Sequence, residues 1–86
     1  METILIIEDN EELCNNVSNL LGSEGFSLVT AGSGEEGLSL FDSHIDLIVL
    51  DVMLPGMSGI DVCREIGRMS FVPILFLTAK TEDTDK

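Results

Sequence analysis

Basic side chains are scarce in this chain of 86 residues. Four Lys and Arg stand against sixteen Asp and Glu, which gives a formal net charge of −12. A chain with this charge repels nucleic acid and anionic membrane surfaces, and it favours cations or basic partner surfaces. The composition therefore argues against direct contact of these residues with nucleic acid or with a membrane.

Cysteines and long apolar runs are also rare. Cys14 and Cys63 form no Cys-x-x-Cys motif, and each falls among apolar residues of a predicted helix, so we expect two reduced and buried thiols. No apolar run approaches the roughly 20 residues of a membrane span, and no basic segment precedes Ile4. These features predict a cytoplasmic protein. A hydrophobic content of 44% is enough for the core of one small domain.

Three short apolar runs give the clearest signal for the fold class. Residues 4–7, 47–50 and 74–77 are continuous stretches of Ile, Leu, Val and Phe. Such runs are typical of strands that are buried on both faces of a parallel sheet. Together with a fourth, weaker segment they predict strands over residues 3–7, 26–31, 46–51 and 73–78.

Helix signals separate these strands. We predict a helix from the N-cap Asn10 to about Glu24, a second from the capping box Ser33/Glu36 to about Phe41, and a third from about Ile60 to about Met69. The expected core-facing stripes are Leu13, Val17, Leu20 and Leu21 in the first helix, and Ile60, Cys63 and Ile66 in the third. The order β-α-β-α-β-α-β predicts an α/β fold with helices on both faces of a parallel sheet.

Polar residues follow three of the strands at the point where each strand ends. Glu8 and Asp9 follow the first, Asp51 closes the third, and Thr78 closes the fourth. Because the carboxyl ends of parallel strands open at one edge of the sheet, we expect these side chains to meet there. Clustered carboxylates repel one another unless a cation neutralises them, and hard oxygen ligands suit Mg²⁺. Asp51 is best placed to attack a phosphoryl group, and the Thr78 hydroxyl to donate to one of its oxygens.

Three segments resemble the receiver domain of two-component response regulators. They are Ile-Ile-Glu-Asp-Asn at 6–10, Leu-Asp-Val-Met-Leu-Pro-Gly-Met-Ser-Gly at 50–59, and Leu-Thr-Ala-Lys at 77–80. The middle segment is the specific one, and the resemblance covers essentially the whole chain. It implies a doubly wound, flavodoxin-like sheet with strand order 2-1-3-4 for the strands present. The middle segment also resembles receivers joined to winged-helix DNA-binding domains, which implies that the parent regulates transcription.

The resemblance implies a role for each site residue. Asp51 would accept a phosphoryl group from a partner histidine kinase. Asp9 and the backbone carbonyl of Met53 would bind Mg²⁺ directly, together with Asp51, while Glu8 would act largely through water. Thr78 would be the switch hydroxyl. The chain would then not be an enzyme, because any catalysis would be its own phosphorylation and dephosphorylation.

The sequence departs from the family pattern after its fourth strand. Family members continue with a fourth helix, a fifth strand and a fifth helix, and a lysine after the fifth strand contacts the phosphoryl group. Lys80 does not replace that lysine, because it lies two positions after Thr78, where the family is variable. We expect residues 1–86 to be one incomplete receiver domain of four βα segments, which self-associates through an exposed fourth-strand edge. The alternative is a receiver-like interaction module that is not phosphorylated.

Three further sequence features do not support other functions. Residues 32–37 match the dinucleotide-binding pattern G-x-G-x-x-G, but they follow the second strand, and Glu35 and Glu36 would repel a pyrophosphate. A phosphatase with an aspartate nucleophile needs a second Asp two positions later, where this chain has Met53. His44 has no second ligand spaced to form a metal site.

Overall fold

The fold is that of a computed structural model, which describes residues 2–77. Strands and helices alternate along the chain. They are β1 (Thr3–Ile7), α1 (Glu11–Ser23), β2 (Ser27–Ala31), α2 (Gly34–Leu40), β3 (Leu47–Asp51), α3 (Gly59–Gly67) and β4 (Ile74–Leu77). Each predicted helix and strand is present, with ends within one or two residues of the prediction.

The four strands form one parallel sheet in the order β2-β1-β3-β4. This confirms the predicted order 2-1-3-4. Strands β1 and β3 are central, and each is flanked by a parallel neighbour on both sides. Helices cover both faces of these strands and bury their side chains, which is why their sequences are continuous apolar runs rather than alternating ones.

Side chains from the sheet form two apolar layers, one on each face. On one face, alternate residues of β1 and β3 pack with α2 and α3; the buried members include Leu5, Ile7, Ile48, Leu50, Val62 and Ile66. On the opposite face Ile4, Ile6 and Val49 pack against Cys14, Val17 and Leu21 of α1. Helices on both faces were predicted, and this prediction is confirmed.

Two glycines of the 32–37 segment allow α2 to lie close to its neighbours. A Cβ atom at Gly37 would lie 2.7 Å from Cγ1 of Ile7, and one at Gly34 would lie 3.3 Å from the main-chain oxygen of Met57. The segment also caps the helix, because the Ser33 hydroxyl accepts from the N–H of Glu36 at 3.1 Å. Packing and capping account for this glycine pattern without a nucleotide.

The predicted helix stripes are wrong at two positions. Leu20 is 66% exposed and Ile60 is 48% exposed. Helix α1 meets the sheet through Cys14, Val17 and Leu21, and Leu20 is turned out of that row by the rotation of about 100° per residue in an α-helix. Helix α3 buries Val62 and Ile66 and leaves Ile60 exposed. The two thiols, expected to be buried, are only partly so.

Strand β4 lies at the edge of the sheet formed by residues 2–77. Leu75 of this strand is 58% exposed, and Phe71, in the preceding loop, is fully exposed. An edge strand presents main-chain N–H and C=O groups that can pair with another strand.

Within the described part of the chain, no helix has both the length and the apolar character needed to cross a membrane.

Candidate functional site

The register of the central strands brings Glu8 beside Asp51. Ile7 of β1 pairs with Leu50 of β3, so Glu8 and Asp51, the residues that follow them, lie side by side at the ends of the neighbouring strands. Side chains alternate between faces along a strand, and this alternation assigns Glu8 and Asp51 to the face that α1 covers. A slip of one residue would place them on opposite faces. The carboxylates therefore meet because the strand pairing is fixed by the apolar core.

Glu8, Asp9 and Asp51 form one carboxylate cluster. One oxygen from each lies within 4.8 Å of the others. Asp51 and Glu8 are 1% and 2% exposed, whereas Asp9 is exposed to solvent. Negative charges this close and this buried repel strongly, and a divalent cation would offset the repulsion. The cluster has the chemistry of a small, partly open site for a hard cation.

Main-chain donors orient the two buried carboxylates. The N–H of Asn10 donates to Oε2 of Glu8 at 2.9 Å, and the N–H of Met53 donates to Oδ1 of Asp51 at 3.1 Å. Each bond closes a short loop from a residue to the second residue after it. Such bonds limit rotation of the side chain, because the donor is part of the main chain. They hold the carboxylates in place at the strand ends.

The loop from β3 to α3 folds back tightly over Asp51. The N–H of Gly59 donates to the carbonyl oxygen of Val52 at 3.0 Å. A Cβ atom at Gly59 would collide with the carbonyl oxygen of Asp51 and lie 2.7 Å from Cα of Val52. Gly56 has φ 71°, a conformation that favours glycine. Two glycines therefore shape the loop that follows Asp51.

Two cavities flank the carboxylate cluster, and Asp9 lines both. A cavity of about 390 Å³ lies on the α1 side and includes Glu8, Glu11 and Cys14 in its lining. A second cavity of about 480 Å³ lies on the loop side and is lined by Asp9 and by residues 52–55 and 58. The second is the more apolar in its lining residues. The cluster is thus reached from two directions.

Cys14 responds to the same electrostatic surroundings. Burial raises the pKa of its thiol, and the negative charges of Glu8 and Glu11 raise that pKa further; a hydrogen bond with Ser18 opposes the shift. The thiol is a weaker nucleophile near neutral pH than an ordinary cysteine. Cys14 therefore lies in the cavity wall as a thiol whose deprotonation is disfavoured.

The predicted site residues differ in what the structure says about them. Glu8, Asp9 and Asp51 are brought together as predicted. Met53 shares a cavity with Asp9 and bonds to Asp51 through its N–H. Thr78, the predicted switch hydroxyl, lies outside the described residues.

Sequence reasoning missed two contributors. Asn10 was recognised only as a helix cap, and its bond to Glu8 was not foreseen; its place two residues after Glu8 was the available signal. Gly59 closes the segment at 50–59, but its close approach to Asp51 depends on how the loop returns, which the sequence does not show.

Comparison with known families identifies the family of this chain. The family described as the response regulator receiver domain matches residues 4–86. The chain belongs to this family. The match includes all three members of the carboxylate cluster.

Curated relatives of this receiver are regulators. The sensory transduction protein RegX3 of Mycolicibacterium smegmatis is 42% identical, with all of this chain and 38% of RegX3 covered. The transcriptional regulatory protein AfsQ1 of Streptomyces coelicolor is 45% identical, with 99% of this chain and 38% of AfsQ1 covered. The chain thus spans under two fifths of their length. Relatives of this kind fit the transcription-regulator subfamily that the middle segment resembles.

Solved receiver structures superpose closely on this chain. The response regulator TrrA of Thermotoga maritima, in complex with Mg²⁺ and BeF, has a TM-score of 0.86 and 35% identity over 94% of this chain and 72% of TrrA. TrrA in complex with the histidine kinase ThkA gives 0.84 and 33% identity over 100% of this chain and 76% of that chain. The flavodoxin-like receiver fold is therefore shown by both sequence and structure.

Proposed function

We propose that Asp51 accepts a phosphoryl group from a histidine kinase in a reaction that depends on Mg²⁺. The observation that carries this proposal is the convergence of three carboxylate oxygens, from Glu8, Asp9 and Asp51, within 4.8 Å at the carboxyl edge of the sheet. The family supplies the context, since the chain is a receiver domain. A receiver is a signalling module and not an enzyme in the ordinary sense.

The donor set fits Mg²⁺. Asp9 and Asp51 would bind the ion with the backbone carbonyl of Met53, and Glu8 would act largely through water. Mg²⁺ favours one or two carboxylates with several waters, which matches a cluster of two buried groups and one exposed group. When bound, the ion would neutralise charge on the oxygens of the phosphoryl group. The neighbour TrrA, whose structure contains Mg²⁺ and BeF, supports this assignment.

Phosphoryl transfer forms one O–P bond and breaks one N–P bond. A carboxylate oxygen of Asp51 attacks phosphorus, and the imidazole nitrogen of the phosphohistidine departs. The N–H of Met53 holds Oδ1 of Asp51 at 3.1 Å and so fixes the plane of the nucleophile. Hydrolysis then returns the carboxylate and releases inorganic phosphate. Thr78, which follows β4 directly in the sequence, would donate its hydroxyl to a phosphoryl oxygen.

The partners follow from the same site. The donor is a histidine kinase, as supported by the complex between TrrA and ThkA. We place the parent protein in the cytoplasm as a regulator of transcription, since relatives of greater length are transcriptional regulators. DNA contact would belong to another domain, because this chain carries a net charge of −12. Residues 1–86 would be the first four βα segments of one receiver domain.

The test is intact-protein mass spectrometry after incubation with a small acyl phosphate, with and without Mg²⁺. We expect one phosphoryl adduct that requires Mg²⁺ and is lost in Asp51→Asn. The matched control is Asp42→Asn, which removes an exposed carboxylate in the loop before β3 and should leave the adduct unchanged. The full parent protein, if longer, is the appropriate second sample.

Absence of an adduct from folded wild-type protein in both samples would contradict the proposal. It would favour the alternative, an interaction module that binds partners without accepting phosphate. Calorimetry separates the two further. A phosphoacceptor should bind Mg²⁺, and its affinity for the ion should fall in Asp9→Ala. An interaction module need not bind Mg²⁺ at all.

For the 86-residue polypeptide itself we also propose self-association through β4. The support is the edge position of this strand and the exposure of Leu75. Main-chain groups of β4 would pair with those of β4 in a second copy.

A further inference from the structure

Asn10 joins the start of α1 to the buried carboxylate of Glu8 through two hydrogen bonds. Its main-chain N–H donates to Oε2 of Glu8 at 2.9 Å. Its side-chain Oδ1 accepts from the N–H of Leu13 at 3.0 Å, and this bond makes Asn10 the N-cap of α1. One residue thus contacts both a member of the carboxylate cluster and the first turn of a helix.

The two bonds constrain one another. The capping bond holds Asn10 in an extended conformation with φ −81° and ψ 112°, and this fixes the direction of its N–H. The main chain of Glu8 is already anchored, since its N–H donates to the carbonyl of Ala31 at 3.0 Å. Its side chain still has three rotatable bonds, and ordering them carries an entropy cost. The N–H of Asn10 restricts that freedom.

We infer that Asn10 is a positioning residue, which sets the Glu8 carboxylate for cation binding and couples the site to the first turn of α1. This rests on the proposed function, because the carboxylate cluster must bind a cation. Groups that orient a direct metal ligand are typically worth about 10- to 100-fold in metal affinity, and we expect an effect near the lower end of that range because Glu8 acts largely through water. By linkage, a cation that requires Glu8 in this position stabilises the contacts of Asn10 in return. Occupancy of the site is thereby transmitted to α1.

Three substitutions separate the contributions of the two bonds. Asn10→Ser keeps both the N–H and a capping oxygen, Asn10→Ala keeps only the N–H, and Asn10→Pro removes both. Proline is compatible with φ −81° at this position. Calorimetry with Mg²⁺ should give a dissociation constant within about twofold of wild type for Asn10→Ser, about fivefold weaker for Asn10→Ala, and about tenfold weaker or more for Asn10→Pro.

Ser33→Ala is the matched control for loss of a helix cap. The Ser33 hydroxyl accepts from the N–H of Glu36 at the start of α2. Its removal should lower stability to a similar extent in urea unfolding, yet leave the Mg²⁺ dissociation constant unchanged. Hydrogen exchange supplies an independent readout. Mg²⁺ should slow exchange of the Leu13 and Cys14 amides in wild type, because these amides donate to Asn10, and should not slow it in Asn10→Pro.

The outcomes distinguish this inference from the proposed function. If the wild-type protein binds no Mg²⁺, both the proposed function and the positioning role of Asn10 are contradicted. If wild type binds Mg²⁺ and folded Asn10→Pro binds it equally well, only the positioning role is overturned. Equal weakening in Asn10→Ala and Ser33→Ala also overturns it, since a general loss of stability would then be the cause. If Asn10→Pro does not fold, the Mg²⁺ dissociation constants of Asn10→Ala and Asn10→Ser decide, and equal values would overturn the positioning role.

Discussion

At the scale of single residues, the site depends on charged side chains and also on glycine, which has no side chain. The carboxylates of Glu8 and Asp51 supply the chemistry, but their positions are set by neighbouring main-chain groups. Gly59 is the clearest example, because the space beside Asp51 leaves no room for a Cβ atom. A residue with no functional group can therefore be essential to the site.

Replacing Gly59 by alanine should disturb the site and the fold together. The new Cβ would meet main-chain atoms of Asp51 and Val52, which cannot rotate away. We expect a loss of about 1–3 kcal/mol in the free energy of unfolding, measured by urea denaturation, and weaker Mg²⁺ binding.

Gly67→Ala is the control for this substitution. A Cβ at Gly67, the last residue of α3, would meet nothing within 4 Å. We expect no loss of stability and unchanged Mg²⁺ binding. Equal stability of the two variants would contradict close packing of Gly59 against the main chain of Asp51 and Val52.

The thiol of Cys14 should titrate above its ordinary range. Burial and the charges of Glu8 and Glu11 raise its pKa. Alkylation of Cys14 in a Cys63→Ser background should have its pH midpoint above that of the same chain unfolded in urea. Because the folded pKa is raised, the thiol's contribution to stability is full below the unfolded pKa and is lost as pH rises through the folded pKa. A folded midpoint at or below the unfolded one would contradict this.

At the scale of helices and strands, the fold was predictable where local signals decide it. Continuous apolar runs marked β1, β3 and β4, and Asn10 and Ser33 marked the starts of α1 and α2. What local signals do not fix is the rotation of a helix on the sheet. Leu20 and Ile60 were misplaced for this reason, since which row of a helix is buried depends on the strands beneath it.

The carboxylate cluster was predictable because parallel strands end at one edge. The bond from Asn10 to Glu8 and the contact of Gly59 with Asp51 were not. Both depend on the path of the main chain in loops, which short-range sequence patterns do not determine.

Helix α2 provides a test of close packing at this scale. Gly37→Ala would drive a methyl group into Ile7, a fully buried residue at the end of the central strand β1, so α2 would have to move outward. We expect a loss of about 1–3 kcal/mol in urea unfolding. Gly22→Ala in α1, where a Cβ would make an ordinary contact of 3.7 Å with Leu28, should be neutral or stabilising by up to about 1 kcal/mol. The reverse order would show that α2 does not pack as described.

At the scale of the whole molecule, charge and the sheet edge act in opposite directions. A net charge of −12 opposes association of two copies, while the position of β4 at the edge of the sheet formed by residues 2–77 favours it. Sedimentation velocity should therefore show the 86-residue chain associating more strongly as salt screens the repulsion. Leu75→Lys should weaken association. Leu40→Lys, a substitution of an exposed leucine in α2 and not in β4, should not. A monomer at high concentration and high salt would contradict this prediction.

The central claim is that three carboxylates form one cation-dependent phosphoacceptor site around Asp51. The most direct measurement is fluorine NMR of the protein with beryllofluoride, a tetrahedral stand-in for the phosphoryl group, with and without Mg²⁺. We predict a bound resonance that requires Mg²⁺, disappears in Asp51→Asn and persists in Asp42→Asn. A bound resonance that survives in Asp51→Asn, or its absence from folded wild-type protein with Mg²⁺, would contradict the claim.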